Sequence, residues 1–505
     1  MTTSSPTVSP LDSVMVDAVG LCGLRENNAS HGANNAIKLQ QQLDNPQNFA
    51  KTWKFRGGSG DTRPYYFDRT LILKWLGTAW EGAGRHCWAT GATDLSTILL
   101  MSADHYSTAF DGMTRQASAT SAANSVLTVV GRTVSSTDLY NSIHITGGTN
   151  FVAGWYTIVG VTASGNKWTL DRNCTNGSAA TGMTGFYCPE LIQNRGGGMR
   201  HLGINFEGKA NSSATTRGVI GYHVVTAAQA NPPGSYTTGQ LDFSFCSFMN
   251  FDYGLLFGPG MSKFGQKATD WDNRTDNFAD QTSLYKTIFY NVIDAVVVRN
   301  RQSVIHTATD VHAYLSGSLY RFDAGGKVRV RGVEMAGDSG TQRLLTIGSG
   351  IDLNNNGAYI FRDFSFDGAT RNPQLVVTEL DNIQFNAINS VIFDGGNISR
   401  AASNDGLYLV DIQSCTTLSL SRIQGNGYVN GIWENSIRLR KGPDETPYDN
   451  KPLLFVEKCA LAVTGGDQTR IIDSVNSDDG ITVVFRGCHD GRGNVFEDQT
   501  FVTGS

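Results

Sequence analysis

The rhythm between Thr282 and Gly337 constrains the fold more than any other feature of the chain. Short runs rich in Val, Ile, Phe and Tyr are divided by Asn, Asp, Ser and Gly, the pattern of short strands joined by sharp turns. The runs also repeat. IFYN at 288–291 echoes SFMN at 247–250, and FDG recurs at 366–368 and 393–395. From Gly196 to the end, strand candidates recur at uneven intervals of roughly 20–40 residues, the spacing of solenoid coils that carry loops of different length. Phe248, Phe289, Phe366 and Phe393 are expected to stack inside such a solenoid as one ladder. Side chains alternate in direction along a strand. If Tyr320 and Phe322 point in, Arg321 and Asp323 point out; if Val328 and Val330 point in, Arg329 and Arg331 point out. Strands stacked ~4.8 Å apart would gather those charges into one outer patch.

Composition agrees with a turn-rich β protein. Charged residues make up 17% of the 505 and glycines number 57, against a usual charged share of about 25%. The net charge of −5 gives no global sign of a nucleic-acid partner. The eight cysteines form no CxxC pair, which excludes the common zinc and thioredoxin-like motifs; Cys246, Cys459 and Cys488 read as small core residues. With no calcium-type Asp cluster, phosphate loop or GxSxG, no metal or cofactor is expected. There is no 18-residue apolar run and no Sec-type leader, so membrane insertion is not expected. The chain is expected either to stay in the cytoplasm or to reach the cell exterior by a route other than Sec, of which a virion is one.

Taken in order, residues 1–34 read as an arm and lead-in, beginning with a Ser/Thr/Pro-rich stretch that could contact other virion proteins. Residues 35–120 read as a capping helix at about 35–44, capped by Asn34 and Asn35 with Ile37, Leu39 and Leu43 as its apolar face, followed by the first coils. Residues 121–190 read as a small inserted β-barrel or meander. Residues 191–505 form the main solenoid with a short C-terminal cap.

The first 100 residues resemble the start of the pectate-lyase-like, right-handed parallel β-helix proteins, among them phage tailspikes and depolymerases. The residues that carry the likeness are Asp17-Ala18-Val19-Gly20, Asn35-Ala36-Ile37 with Leu39 and Leu43-Asp44, Leu71-Ile72-Leu73, Gly82-Ala83-Gly84 and Ser96-Thr97-Ile98. The chain departs from the family pattern at Leu21-Cys22 and lacks the Asp-Asp pair before the helix. The resemblance implies an all-β fold, a right-handed parallel β-helix with an N-terminal capping helix and a small inserted β subdomain, associated as a homotrimer.

Three constellations are candidates for function. Arg299, Arg301, Arg321, Arg329 and Arg331 form the outward guanidinium group, suited to carboxylate or sulfate, or else tied up in surface ion pairs. His306, Asp310, His312, Asp323, Glu334 and Asp338 surround it. Glycoside hydrolysis needs two carboxylates ~5–9.5 Å apart, and Asp323, Glu334 and Asp338 are the candidates, with His306 and His312 as ligand contacts. Trp271 and Trp433 could each stack on a sugar ring, or could plug the solenoid or a subunit contact. The functional expectation is a virion surface protein of the tailspike kind that binds an acidic polysaccharide and could cleave it. The rivals are a polysaccharide lyase or glycoside hydrolase of the same superfamily and a purely structural or capsid-decorating β-helix.

Overall fold

The structure is a computed structural model. It describes residues 15–26, 29–48, 51–56, 64–73, 79–84, 97–101, 109–116, 126–130, 133–139, 141–152, 154–170, 173–176, 178–188, 190–194, 199–208, 220–224, 240–258, 281–299, 305–323, 326–336, 341–348, 358–367, 372–379, 388–399, 407–426, 431–441, 453–490 and 492–504. The chain is a parallel β-helix. Among the described residues a 20-stranded sheet and a 10-stranded sheet run along it; a coil gives the second sheet one strand and the long sheet either one long strand or two short ones. Register is continuous. Phe243 pairs with Leu284, then Ala308, Val330, Phe361, Phe393, Leu420, Val456 and Phe485. These inward residues are fully or nearly fully buried. Each large one contributes roughly 1.5–3 kcal/mol by leaving water.

From Gly203 to Gly487 the long sheet bends once per coil, at a single residue with left-handed backbone. Gly203, Phe245, Lys286, Asp310, Gly332, Asp363, Gly395, Arg422, Lys458 and Gly487 have positive φ and follow one another up the helix. The bend has two consequences. It shifts the inside–outside alternation by one residue, so that Val328 and Val330 before Gly332 and Val333 and Met335 after it all point inward. It also leaves carbonyls to be satisfied from within. The first inward residue after the bend is a thiol or hydroxyl in several coils: Thr287 Oγ1 donates to Phe243 O, Cys459 Sγ to Leu420 O and Cys488 Sγ to Val456 O, each at 3.3–3.4 Å. The cysteines there are small core donors.

The aromatic ladder is two columns, not one. Phe206, Phe248 and Phe289 stack with centroids 4.9 and 5.3 Å apart, and the column continues through Ala313 and Met335 to Phe366. Phe393 belongs to the neighbouring column, stacked on Phe361 at 5.3 Å. The bend lies between Phe361 and Phe366, which is why spacing alone merged the two.

At the N-terminal end the helix Gly32–Leu43 covers the first coil. Asn35 lies inside the helix and does not cap it: its side-chain amide accepts from Arg25 N and donates to Arg25 O and Tyr66 O. Ala36, Leu39 and Leu43 face the core while Ile37 is exposed. Met15–Asp17 is a strand paired with Thr52–Lys54, so the described part of the lead-in is folded into the first coil; residues 1–14 lie outside the described residues. Six antiparallel strands between Ala109 and Cys188 close into a barrel. It takes in Ala109–Gln116, which the sequence reading placed with the first coils. Coils before and after the barrel are direct neighbours, since Ile192 pairs with Leu71 and Arg200 with Ala79. A buried chain of hydrogen bonds from Thr70 through Asn141 and Tyr187 to Asp138 ties barrel to helix. Gln499–Val502 turns back antiparallel on Thr482–Arg486, which covers part of an otherwise open sheet edge.

Candidate functional site

The predicted arginine patch is divided between two sheets. Arg321 belongs to the second sheet and Arg299 directly follows that sheet's strand Asp294–Val298, whereas Arg329 and Arg331 belong to the long one. Arg329 and Arg331 do point outward and are exposed. Arg299 and Asp323 do not: they are 3% and 2% exposed. Asp323 directly follows the strand Ser318–Phe322 and is enclosed there, so strand alternation does not carry it to water. Its two oxygens are held by Arg299 Nε at 2.9 Å and Arg321 Nε at 3.0 Å. Arg321 continues to Glu379 at 2.9 Å, and Glu379 to Arg343 at 3.0 Å. Burial is the largest single influence on the Asp323 carboxyl and pushes it up; the charges of Arg321 and Arg299 and their hydrogen bonds outweigh it and hold the group below the usual carboxylate range. A carboxylate so enclosed is a structural brace and is not placed to reach a substrate.

Two further expectations are corrected. His306 points inward and is fully buried, edge-on to Phe257 at 5.2 Å and Phe322 at 5.6 Å. Trp433 is 9% exposed and part of the main core, which makes it packing and removes it as a sugar platform. Arg301, Trp271 and Asp338 lie outside the described residues.

The long sheet brings a different set together. Outward residues two beyond the bend stack as His312, Glu334 and Ser365. With the bend residues Lys286, Asp310, Gly332 and Asp363 and the flanking Val311 and Val333 they line a groove of about 470 Å³ on the outer face. His312 Nδ1 lies 3.2 Å from Glu334 Oε2; the imidazole is largely covered, the carboxylate 57% exposed. His312 also stacks on Tyr314, with centroids 5.7 Å apart. Asp363 accepts from Arg331 Nε at 3.4 Å.

The bend column explains how carboxylates come to sit in the groove. Asp310 and Asp363 adopt φ of 54°, a conformation Asp tolerates better than most residues. The next bend residue in each case is glycine. A Cβ on Gly332 would come within 2.8 Å of Asp310 Oδ1, and one on Gly395 within 3.1 Å of Asp363 Oδ1. Each carboxylate therefore leans over the glycine of the following coil. Asp310 and Asp363 are two coils apart, about 10 Å, with Glu334 on the coil between, about 5 Å along the axis from either. Groups at such separations can accept hydrogen bonds from several hydroxyls of one chain-like ligand.

Sequence reasoning named His312 and Glu334, noted Asp310, and missed Lys286, Asp363 and Ser365. The available signal was a break in the alternation, where a polar or glycine residue is followed at once by another inward apolar one, as in Arg331-Gly332-Val333 and Arg362-Asp363-Phe364. Among the described residues no group of three or more His, Cys, Asp or Glu is placed to hold a metal ion, and no helix is long and apolar enough to cross a membrane.

No family model matches the chain, and no curated protein matches it in sequence. Among solved structures, it is matched to the Gp54 tailspike of Acinetobacter baumannii bacteriophage AP22 in complex with A. baumannii capsular saccharide. The identity is 6%, the match covers 85% of this chain and 72% of that one, and the TM-score is 0.18, too low for any site or activity to be carried across.

Proposed function

We propose that the protein binds a polysaccharide along the outer face of its long sheet, in the groove between Lys286 and Ser365. The observation that carries this reading is the groove itself: carboxylates at Asp310, Glu334 and Asp363, an imidazole at His312 and an ammonium at Lys286, presented on a rigid coil stack beside exposed aromatic rings. Carboxylates and amines at fixed spacing select hydroxyl patterns, and aromatic faces take the apolar side of a sugar ring. Asp310, Glu334 and Asp363 outnumber Lys286 and the Arg331 that meets Asp363, which makes the groove unfavourable to a polyanion. The ligand in this reading is a neutral or amino-substituted glycan, and the acidic glycan expected from the arginines is set aside because Arg299 and Arg321 are consumed by Asp323.

Binding of purified neutral, amino and acidic polysaccharides to the full chain, read together with release of reducing ends, tests the proposal. Glu334→Gln should weaken binding of a neutral or amino glycan; a preference for sulfated or uronate polymers would overturn it. Cleavage is the second reading, favoured by Glu334 standing between Asp310 and Asp363 with His312 against it; release of new reducing ends that Glu334→Gln abolishes would support it.

The same proposal places the chain on a virion surface as a homotrimer of the tailspike kind. Its support is the composition of residues 1–13 and a half-exposed outward column of Ile360, Ile392, Phe455 and Val484, interrupted only by Ser419. Light scattering that gives a monomer at micromolar concentration would sink the trimer.

A further inference from the structure

Just N-terminal to the groove the bend position is held by Phe245. Its φ is 52°, the left-handed region in which a bulky residue is a genuine outlier, and it is 40% exposed. Neither feature serves the core. The main-chain conformation costs folding energy, and the ring recovers little of it by burial. On the adjacent coil Tyr285 is 37% exposed and meets Phe245 edge-on, centroids 5.4 Å apart and planes at 89°. Lys286, the next bend residue, puts its ammonium 5.6 Å from the Phe245 centroid and 5.4 Å from that of Tyr285. Lys286 also lines the groove. Platform and groove are therefore continuous, in the order Phe245, Lys286, Asp310, Gly332, Asp363 along the helix axis.

We propose that Phe245 and Tyr285, together with Lys286, form an aromatic subsite that stacks on a pyranose ring of a glycan lying parallel to the helix axis and continuing into the groove. This rests on the glycan reading given above. An exposed aromatic face recognises the C–H face of a sugar, and a lysine held over the rings by cation–π attraction is placed to donate to the hydroxyls at its rim. The ring fitted is an uncharged hexose or an acetamido sugar, since the carboxylates further along repel an anionic chain. Rungs ~4.8 Å apart are comparable in length to one sugar unit, so successive coils meet successive residues of the polymer.

The test uses the full chain and an immobilised panel of dextran, laminarin, chitin oligosaccharides and purified bacterial capsular and O-antigen polysaccharides. Wild type is compared with Phe245→Gly, Phe245→Tyr and Glu334→Gln. Phe245→Gly removes the ring and relieves the backbone, so it should raise the thermal midpoint while weakening binding about tenfold; Phe245→Tyr should keep binding within about twofold. If Phe245→Gly binds as wild type while Glu334→Gln does not, the platform is refuted and the groove stands. If Phe245→Gly lowers the midpoint, the ring is structural and the inference is wrong. If wild type binds nothing on the panel, or neither Phe245→Gly nor Glu334→Gln changes binding, the glycan reading and the subsite fall together.

Discussion

Removing the Asp323 carboxylate measures how far the arginines of this chain belong to the fold. Asp323 is almost fully buried with both oxygens occupied, one by Arg299, itself 3% exposed, and one by Arg321. In Asp323→Asn the shape is kept and the charge is lost. Arg321 retains Glu379 at 2.9 Å. Arg299 loses this carboxylate and keeps its other contacts, including the Tyr253 ring 5.5 Å from its guanidinium carbon. Breaking one side of a buried pair costs about 3–5 kcal/mol because the stranded charge stays desolvated. The exposed Arg331–Asp363 pair, with side chains 77% and 55% exposed, is the control: Arg331→Ala should cost less than about 1 kcal/mol. Urea unfolding at pH 7 measures both, with unfolding rates as a second readout. The pH dependence has a definite sign. A carboxyl held below its usual range stabilises the fold above the unfolded value of about 3.9, and that stabilisation is lost as pH falls through the lower folded value. The gap between wild type and Asp323→Asn should therefore close below about pH 4. A cost for Asp323→Asn no larger than that for Arg331→Ala would show that the cluster is hydrated, and the structural assignment would fail.

Phe366→Ala, in the buried column below Met335, should cost about 3–5 kcal/mol; near-wild-type unfolding would count against that column. Gly332→Ala forces a side chain into φ of 69° and against Asp310 Oδ1 at 2.8 Å. A loss of about 1–2 kcal/mol is expected from the backbone alone, together with weaker glycan binding as Asp310 is displaced; a neutral result in both assays would contradict the leaning carboxylate. Burial pushes the thiols of Cys246, Cys415 and Cys459 up to about 12, so iodoacetamide at pH 8 should leave all three unlabelled until the chain unfolds. Mass spectrometry showing rapid labelling of any of them in the native protein would place that coil differently.

The coil architecture was legible because each coil repeats the same physical requirement: apolar residues at alternate positions, closed by residues that turn. Val328 and Val330 read as inward and are inward. The reading broke where alternation was carried across a feature that resets it. Crossing the bend at Gly332 or Asp363 shifts the phase, so the two phenylalanine columns were merged and Asp363 was never counted as facing the groove. At Asp323 a different limit applied. Strand alternation says which side of a sheet a residue occupies, and the outer side of the second sheet is itself covered: Leu256 and Val297 point that way and are fully buried. A charge there is under different rules from one on the long sheet, and only the three-dimensional arrangement separates Arg321 from Arg331.

The bend column is where fold and candidate function meet. A parallel stack needs one left-handed residue per coil to turn its long strand, and glycine fills that place at Gly203, Gly332, Gly395 and Gly487 without strain. Elsewhere along the column the chain carries Phe245, Lys286, Asp310, Asp363, Arg422 and Lys458, each less comfortable there than glycine. Their side chains project from a corner of the coil, clear of the flanking strands, in a row whose spacing the stack fixes. Alternating Asp with Gly gives each carboxylate room to settle over the following coil. A chain that only needed to turn would be more stable with glycine throughout. Between Phe245 and Asp363 it carries instead an aromatic, an amine and two carboxylates, with Gly332 between the carboxylates; in the proposed reading these are the groups an extended polyhydroxylated ligand would meet in turn, and the stability forgone at those positions is the physical argument that favours that reading.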